Sequence, residues 1–560
     1  MPPSGSSLRR HATFRASREG DGALRSAQGI PLRARRAAAW SALALLAVGV
    51  AAALRTYALG SQVVIDDEWH ALHKVLRSDV IGILTHLDYA DFSIPVALYY
   101  RALQETIGIS EWSMRAPMVV AGIALVALAP WLARAWTSRP VGVAWSVLLA
   151  ISPMLVYLSR TARPYAITAL TSTLAIVAFE RWWRGDERYR RRWATAYAVA
   201  TVFGGWLHML SLAFTLAPFL YFGVRAMRDR AAFARLFRLG LATALLLALA
   251  LMPPLVNDWS MFAAKAGQDA VTPGTLERTV LMIAGTGHAS VGIAVAALVL
   301  LGWHRWWTRD RELAGYALTI VLAGSAAIAV ARPNWVQYAL VFARYLIPVV
   351  PLLLLLAAEG MMTLLPPRKS ALGACTVVAI AVALVASGPL PSQWYAPNQF
   401  TSHQRFQFDY DDAHNPYVTQ RVDAVPPFYR ELARAPAGSL TVVVAPWRLE
   451  SHFDPHVWYQ AVHRQHVKIG MLTPTCGKRD FGEYPEGARG MRLATMAPVD
   501  ALLRDRGGAA FLVIHLRPWS TPPGQDVPWP DLAQCLPAIE RELGAPAYRD
   551  DDVVAFALRR

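Results

Sequence analysis

The sequence predicts a polytopic α-helical membrane protein with about eleven membrane-spanning helices and a C-terminal α/β domain on the outer side of the membrane. The 560 residues are 55% hydrophobic and only 17% charged, whereas a soluble domain carries roughly a quarter charged residues. Uncharged stretches such as 41–54 and 239–256 alternate with clusters of arginine, a pattern typical of bilayer proteins. After residue 389 the long apolar stretches end, and short strand-like and helix-like segments alternate instead.

The N-terminal residues 1–36 are rich in Arg, Ser and Ala, and they predict a disordered cytoplasmic tail. The next apolar stretch is too long for the h-region of a signal peptide, so it predicts a retained first helix. A transmembrane module then occupies 37–389, with most spans approaching the ~20 residues that cross a hydrocarbon core. The predicted spans are 37–59, 116–136, 141–158, 165–182, 194–208, 210–224, 236–256, 280–303, 313–331, 341–364 and 371–389.

The positive charges give these spans a direction. The connections on one side carry 26 Lys and Arg residues, and those on the other side carry far fewer per residue. Because Lys and Arg accumulate in cytoplasmic loops, the N-terminus is predicted in the cytoplasm and 390–560 outside, in a multi-pass protein of the cytoplasmic (inner) membrane. In this arrangement the arginines that flank the apolar stretches account for the net charge of +16. The predicted partner is therefore the lipid bilayer, and no nucleic-acid partner is predicted.

Two outer regions are large. The first outer loop, 60–115, contains helical-looking stretches at 68–80 and 96–107 of a kind that can lie along a membrane surface. The second is the extracytoplasmic domain 390–560, whose alternation is typical of a small α/β layer fold. Its predicted strands are 440–445, 467–471, 510–516 and 553–558, and its predicted helices are 456–466, 499–505 and 532–543.

The tail domain offers few groups for chemistry. Cys476 and Cys535 either pair or stay free in an extracytoplasmic compartment, and the sequence does not decide between these. His456, His463 and His466 share one face of a predicted helix, but their spacing without a nearby acid is weak evidence for a metal site, and we predict none.

The candidate site begins with Asp66, Asp67 and Glu68, directly after the first span. Helix capping by itself explains such a run of carboxylates. Every other outer connection, however, carries a cation or a histidine. Arginine at membrane depth usually faces an interior site, and guanidinium groups bind phosphate bidentately. Carboxylates and clustered cations on one face therefore favour a general base acting beside a lipid-linked phosphate.

Six motifs follow one another along the chain: Asp67-Glu68, the run 91–100, the "G-x-S-E…R-x-P" stretch 107–117, the "R-x-Y-A" of 163–166, His208, and the "R-Y-L…P" of 344–351. Their order resembles that of the GT-C glycosyltransferases, in the branch that includes protein O-mannosyltransferases and the aminoarabinose transferases of lipid A. The resemblance covers roughly 60–360, and the sequence of motifs is more specific than any single one. Thr161-Ala162 stand where many relatives carry an acid, and Ile94 replaces a proline.

This resemblance implies a glycosyltransferase that moves a sugar, with inversion, from a polyprenyl-phosphate donor to a glycan, lipid or protein acceptor at the outer face. Asp67 would be the base for the acceptor hydroxyl, with Glu68 and Asp91 beside it. No cofactor is implied with certainty, and the use of a divalent cation stays open. The resemblance further implies donor-phosphate binding by Arg163, Arg344, Lys265 and Arg160, and substrate binding by Asp66, Tyr165, His208 and Tyr345.

Structural roles compete with these assignments. Arg160 is equally explained as an anchor of a helix end, Tyr345 as part of an interfacial aromatic belt, His208 as an interhelical polar contact, and Lys265 as a solvated loop charge. The alternative function is a non-catalytic lipid-linked-sugar flippase or polysaccharide exporter. Such a transporter should carry polar groups near the membrane midplane, whereas the predicted spans are nearly free of charge. An O-antigen ligase or polymerase would have its long loop late in the chain.

Overall fold

The computed structural model of the chain describes residues 32–64, 68–87, 92–267, 269–365, 370–393, 425–446, 456–472, 475–476, 491–506, 508–517 and 529–558. Asp66, Asp67 and Asp91 lie outside these residues, as does His456 apart from its place in a helix. The first helix begins at Leu32, inside the predicted tail.

Long apolar helices make up residues 32–393. Within the described residues, six helices are long and apolar enough to cross a membrane, and two bent helix pairs raise the number to eight. The structure therefore supports six to eight candidate spans by length and composition, where eleven were predicted. They are Ala38–Ser61, Glu111–Ala135, Met209–Ala226, Arg230–Asn257, Ala289–Arg309 and Arg311–Ala331, with the bent pairs Arg139–Ile151 plus Pro153–Ser159 and Ala339–Tyr345 plus Val350–Thr363.

Three predicted spans correspond to helices that fall outside this set, and their sequences explain why. The helix Glu187–Leu207 has five charged residues among its first six, so its apolar part is shorter than the ~20 residues of a full span. The helix Tyr165–Arg184 contains several Thr and Ser residues and three charges near its end. The apolar part of the last one, Leu372–Ser387, is short. The break predicted between 194–208 and 210–224 is present, because the chain leaves the helix at His208.

The helices of this module are numbered in chain order for the description below. They are α1 (Leu32–Thr56), α2 (Glu68–Arg77), α3 (Val80–Thr85), α4 (Ile94–Glu105), α5 (Glu111–Leu132), α6 (Arg139–Ile151), α7 (Pro153–Ser159), α8 (Tyr165–Arg184), α9 (Glu187–Leu207), α10 (Leu212–Thr215), α11 (Ala217–Ala226), α12 (Arg230–Asn257), α13 (Trp259–Ala263), α14 (Pro273–Ala284), α15 (Ala289–Arg309), α16 (Arg311–Ala331), α17 (Ala339–Tyr345), α18 (Val350–Thr363), α19 (Ser370–Ser387) and α20 (Leu390–Gln393).

The two ends of the helix bundle differ in what they bring together. At one end the arginine-rich connections meet, since Arg184 pairs with Asp310 at 2.7 Å and Arg309 with Glu359 at 3.5 Å. At the other end the loop after α12 contacts the first outer loop, where the N–H of Leu87 donates to Asp258 at 2.8 Å. The contacts of Arg184 with Asp310 and of Leu87 with Asp258 each join connections that the charge pattern assigned to one side.

The C-terminal region folds around a six-stranded sheet in the order β3-β2-β1-β4-β6-β5. Strands β3, β2, β1 and β4 are parallel, and β6 and β5 continue the sheet in antiparallel pairing. Helices α21 and α22 pack on one face and α23 and α24 on the other. The elements are α21 (Pro427–Leu432), β1 (Thr441–Ala445), α22 (His456–His463), β2 (His466–Met471), β3 (Met496–Pro498), α23 (Val499–Arg504), β4 (Phe511–His515), α24 (Leu532–Leu543), β5 (Tyr548–Arg549) and β6 (Val553–Ala557).

The four predicted strands each lie within one residue of an observed strand. The predicted helix 456–466 is too long, because Arg464 adopts a left-handed conformation with φ 56° and the chain enters β2 at His466. His463 and His466 therefore belong to different elements and do not share a helix face. The groups of His, Cys, Asp and Glu among the described residues include none of three or more that suits a metal ion.

The structure decides the open question on the cysteines, because Cys476 and Cys535 form a disulfide with their Cα atoms 4.7 Å apart. The bond closes a sequence separation of 59 residues and joins α24 to the chain after β2.

Replacing Cys535 with alanine is expected to lower the free energy of unfolding of this domain by about 2–5 kcal/mol, because the cross-link restricts the unfolded chain. Thermal unfolding under non-reducing conditions measures the change. Cys375→Ala is the matched control, since Cys375 is a free and exposed cysteine, and it should leave unfolding unaltered. Equal stability of the two variants would contradict the prediction.

Candidate functional site

Glu68 and Arg115 form a buried bidentate ion pair between the start of α2 and the second turn of α5. Arg115 Nη2 lies 2.7 Å from Glu68 Oε2, and Arg115 Nε lies 2.8 Å from Glu68 Oε1. The side chains are 1% and 0% exposed. Charged hydrogen bonds of this two-point geometry are among the strongest that side chains make. The pair therefore fixes α2 against α5.

The remaining hydrogen bonds of this pair reach two further segments. Arg115 also donates to the carbonyls of Leu59, Gln62 and Val63, at 3.0, 2.8 and 3.1 Å. Glu68 Oε1 also accepts the N–H of Ala162 at 2.7 Å. Through these bonds the Glu68–Arg115 pair joins the chain leaving α1 to the turn after α7. Both oxygens of Glu68 are engaged within the protein.

Arg160 is used in a similar way. It donates to the carbonyls of Leu54 and Tyr57 at 3.1 and 2.7 Å, and to Gln62 Oε1 at 3.1 Å. Gln62 returns a hydrogen bond to the carbonyl of Arg160 at 2.9 Å. Burial, and then the charge of Arg115, lower the pKa of Arg160 to about 9, so this guanidinium stays charged at neutral pH. It anchors the end of α1, which is the structural role that competed with phosphate binding.

Five of the predicted residues do come together, and we call Arg163, Tyr165, His208, Arg344 and Tyr345 the arginine–aromatic cluster. The guanidinium carbons of Arg163 and Arg344 lie 6.0 and 5.5 Å from the ring centre of Tyr165. The ring of His208 lies 5.5 Å from that of Tyr165 and 5.9 Å from that of Tyr345. Both arginines are thus within the range of cation–π attraction to one ring.

Breaks in the helices bring these residues together. Arg163 follows the bent pair α6–α7, whose axes differ by 61°, and Arg344 and Tyr345 end α17, which meets α18 at 88°. His208 lies where the chain leaves α9. In membrane proteins, interrupted helices are tolerated where they line a cavity or lie within protein, and such interruptions often form ligand sites.

The cluster has the composition of an anion site. Two guanidinium groups approach one aromatic ring, and Arg344 and Tyr165 are both buried. Arginine offers planar paired donors that match phosphate geometry, and an aromatic face beside them suits an apolar or sugar ring.

Lys265 lies on a loop that is connected to the cluster. Its Nζ is 4.3 Å from the ring centre of Phe92, the residue after Asp91. The carbonyl of Lys265 accepts the N–H of Asn334 at 3.1 Å, and the hydroxyl of Tyr345 donates to the carbonyl of Asn334 at 3.4 Å. Lys265 is therefore held between the first outer loop and the loop that leads to Arg344.

Arg55, which was not among the predicted site residues, lies inside the first candidate span and is 1% exposed. It donates to Ser159 Oγ at 3.2 Å and to the carbonyls of Leu149 and Ala150, each at 3.1 Å. Pro153 has no N–H to reach the carbonyl of Leu149, and Arg55 supplies the missing donor at the bend between α6 and α7. The signal was an arginine within the predicted span 37–59, and the expectation of nearly charge-free spans needs this correction.

No protein-family model matches the chain, and the search of curated proteins found no relative. Among solved structures, the chain is similar to the crystal structure of ArnT from Cupriavidus metallidurans in the apo state, at 15% identity over 93% of this chain and 98% of that one, with a TM-score of 0.48. It is also similar to the arabinofuranosyltransferase AftD from Mycobacteria, at 14% identity over 93% of this chain and 41% of that one, with a TM-score of 0.44.

A third similar structure is the Archaeoglobus fulgidus oligosaccharyltransferase in complex with zinc and sulfate, at 14% identity over 84% of this chain and 68% of that one, with a TM-score of 0.42. Two of these three structures are named for sugar transfer, one as an arabinofuranosyltransferase and one as an oligosaccharyltransferase. No residue of the site takes its role from these likenesses.

Proposed function

We propose that this chain is a glycosyltransferase of the cytoplasmic (inner) membrane that takes a hexosyl or pentosyl unit from a polyprenyl-phosphate donor at the outer face, in cell envelope glycosylation. The observation that carries the proposal is the arginine–aromatic cluster. It combines two guanidinium groups, suited to a phosphate, with aromatic rings and a histidine. It is formed at the end of the bundle where the first outer loop lies.

The predicted base, Asp67, is the chain neighbour of Glu68, which contacts the turn before Arg163. Asp67 precedes Glu68, and Arg163 follows Ala162. The carboxylate of Glu68 bonds the N–H of Ala162 at 2.7 Å. Since consecutive Cα atoms are about 3.8 Å apart, the connection between Glu68 and Ala162 limits how far Asp67 can lie from Arg163. We assign the base to Asp67 on this ground, with Asp66 and Asp91 as neighbours that orient the acceptor.

In this reaction Asp67 takes the proton of the acceptor hydroxyl. The hydroxyl oxygen then forms a bond to the anomeric carbon from the face opposite the phosphate, and the bond from that carbon to the phosphate oxygen breaks. The polyprenyl phosphate leaves with both electrons of the broken bond. Arg163 and Arg344 stabilise the negative charge that grows on it, and Lys265 adds a further positive charge from the neighbouring loop.

The remaining predicted residues divide between substrate contact and support. In this proposal, the donor-binding site is lined by Tyr165, His208 and Tyr345. Glu68 and Arg160 hold the surrounding chain and do not touch it. The eleven-span topology, with the N-terminus in the cytoplasm and the C-terminal domain outside, is retained as part of the proposal, because it places the cluster and the first outer loop on the same outer face. A divalent cation is left as an option.

The test uses the full-length protein in liposomes supplied with labelled polyprenyl-phosphate sugars and an extract of envelope glycans, lipids and proteins. Wild type should move label to an acceptor. Asp67→Asn should reduce the rate by about 10²–10⁴, the usual contribution of a general base. Asp551→Asn, at a carboxylate that is 90% exposed in the C-terminal domain, is the matched control and should react normally.

Two results would count against the proposal. Full activity of Asp67→Asn would remove the base assignment. Movement of intact labelled lipid across the bilayer, with no cleavage of the sugar–phosphate bond, would favour the alternative of a lipid-linked-sugar flippase.

A further inference from the structure

A buried carboxylate joins the C-terminal domain to the start of α5. Glu111 accepts hydrogen bonds from the N–H and the hydroxyl of Thr495 at 2.8 and 2.6 Å, and from the N–H of Ala494 at 3.2 Å. Glu111 and Thr495 are 2% and 4% exposed. A buried carboxylate is costly unless its oxygens are hydrogen-bonded, and here the donors come from the other domain.

Backbone pairing reinforces this contact. Ile109 forms a parallel bridge with Met491, and the N–H of Arg492 donates to the carbonyl of Ile109 at 2.7 Å. The carbonyl of Thr495 in turn accepts the N–H of Ile469 in β2 at 2.8 Å. The segment 491–496 therefore connects the first outer loop directly to the sheet.

Glu111 is not needed to cap α5. Ser110 and Ser113 form a complete capping box, in which each side chain accepts the backbone N–H of the other residue. Such a box satisfies the first free N–H groups of a helix. The carboxylate of Glu111 is left for the contact with the C-terminal domain.

The same helix carries the next link toward the cluster. Arg115 lies one turn after Glu111 on α5 and holds Glu68 through two hydrogen bonds. Glu68 holds the N–H of Ala162, and Tyr100 donates to the carbonyl of Ala162 at 3.0 Å. Ala162 precedes Arg163. Buried, closely packed contacts of this kind transmit a displacement from one element to the next.

We propose that the C-terminal domain is a positioning domain for the transfer site and that Glu111 is the positioning residue through which it acts. The inference depends on the proposed function only for its kinetic measurement, which is the rate of sugar transfer. When Glu111 loses its donors, the first turn of α5 is released, and with it Arg115, Glu68 and the turn that carries Arg163. Neither Glu111 nor the domain contacts the donor in this proposal.

The first variant is Glu111→Ala in the full-length protein. It should lower kcat for sugar transfer about tenfold or more, because small misplacements of reacting groups cost rates of that size. KM for the polyprenyl-phosphate sugar should change by less than about twofold, since donor contacts persist. Backbone hydrogen exchange should become faster in peptides covering 160–166. Glu542→Gln, at an exposed glutamate of α24, is the control and should match wild type in each measurement.

A second variant separates positioning from loss of folding. Ile109→Cys with Met491→Cys, added to Glu111→Ala, places two cysteines at the isolated bridge between these residues, so that a disulfide, which needs closely spaced backbones, can replace the lost contact. Oxidation should recover roughly half or more of the lost kcat and slow the exchange of 160–166. Glu111→Ala with Met491→Cys alone, treated in the same way, should recover neither. Failure of the oxidised protein to recover either one, or unchanged exchange of 160–166 in Glu111→Ala, would overturn the proposal. If wild type transfers no sugar, the proposed function fails, and the exchange measurements alone decide the coupling.

Discussion

Replacing Arg344 with alanine is expected to reduce the rate of sugar transfer by about 10²–10³, the usual cost of removing one group that stabilises charge in a transition state. Arg344 is 8% exposed, and its guanidinium carbon lies 5.5 Å from the ring of Tyr165. Because the phosphate gains charge as the sugar leaves, the loss should fall on kcat more than on KM. Steady-state kinetics with a labelled polyprenyl-phosphate sugar measure both.

Two comparison variants make this result specific. Arg344→Lys keeps the charge but loses the paired donors of guanidinium, so its rate should lie between those of wild type and Arg344→Ala. Arg305→Ala removes an exposed arginine from the arginine-rich end of the bundle and should leave kcat unchanged. A melting temperature near that of wild type would show that Arg344→Ala is folded. Unchanged kcat in a folded Arg344→Ala protein would remove Arg344 from the site.

The sequence singled out most residues of the arginine–aromatic cluster because they share one property. Arg163 and Lys265 lie in connections between predicted spans, and His208 and Arg344 lie near the ends of the predicted spans 194–208 and 341–364. The count of positive charges assigned all four positions to one side. The structure brings three of them into the cluster and holds Lys265 on an adjoining loop. A charge pattern of this kind predicts on which side of the membrane each connection lies. Residues from distant parts of the chain that share a side are then candidates for one site.

The sequence could not show how each arginine is used. Arg55 and Arg160 are buried and hydrogen-bonded mainly to backbone carbonyls, and their partners lie about a hundred residues away in the chain. Nothing in the local sequence separates an arginine that satisfies carbonyls at a helix break from one that faces a ligand. The sequence also did not determine the number of spans, because α9 combines an arginine-rich first turn with an apolar end that is too short for a full span.

Glu68 shows the same limit for a carboxylate. Its position beside Asp67 suggested chemistry, yet both oxygens contact Arg115, and one also contacts Ala162. The partners lie 47 and 94 residues away in sequence. Substitution of Glu68 should have different measurable effects depending on whether Glu68 anchors the chain or acts as a base.

Glu68→Ala is expected to lower the free energy of unfolding by about 3–5 kcal/mol, because it leaves Arg115 buried without its carboxylate. Glu68→Gln keeps one oxygen for Arg115 or for Ala162 and should cost about 1–3 kcal/mol. Thermal or denaturant unfolding in detergent measures the change. Glu105→Gln is the matched control, since Glu105 pairs with Arg101 at 2.6 Å on an exposed helix face, where such pairs contribute about 0–1 kcal/mol.

The kinetics of Glu68→Gln separate the two roles. An anchor should leave the folded fraction of Glu68→Gln with a pH–rate profile of unaltered shape, because the proton acceptor, Asp67, is still present. If Glu68 is instead the base, Glu68→Gln should have normal stability, a rate lower by several orders of magnitude and a pH–rate profile without its acidic limb. Because the carboxylate already bonds Arg115 and Ala162, accepting a proton would break contacts that hold α2, α5 and the turn before Arg163 together. The anchoring role is therefore the one that we expect the measurement to support.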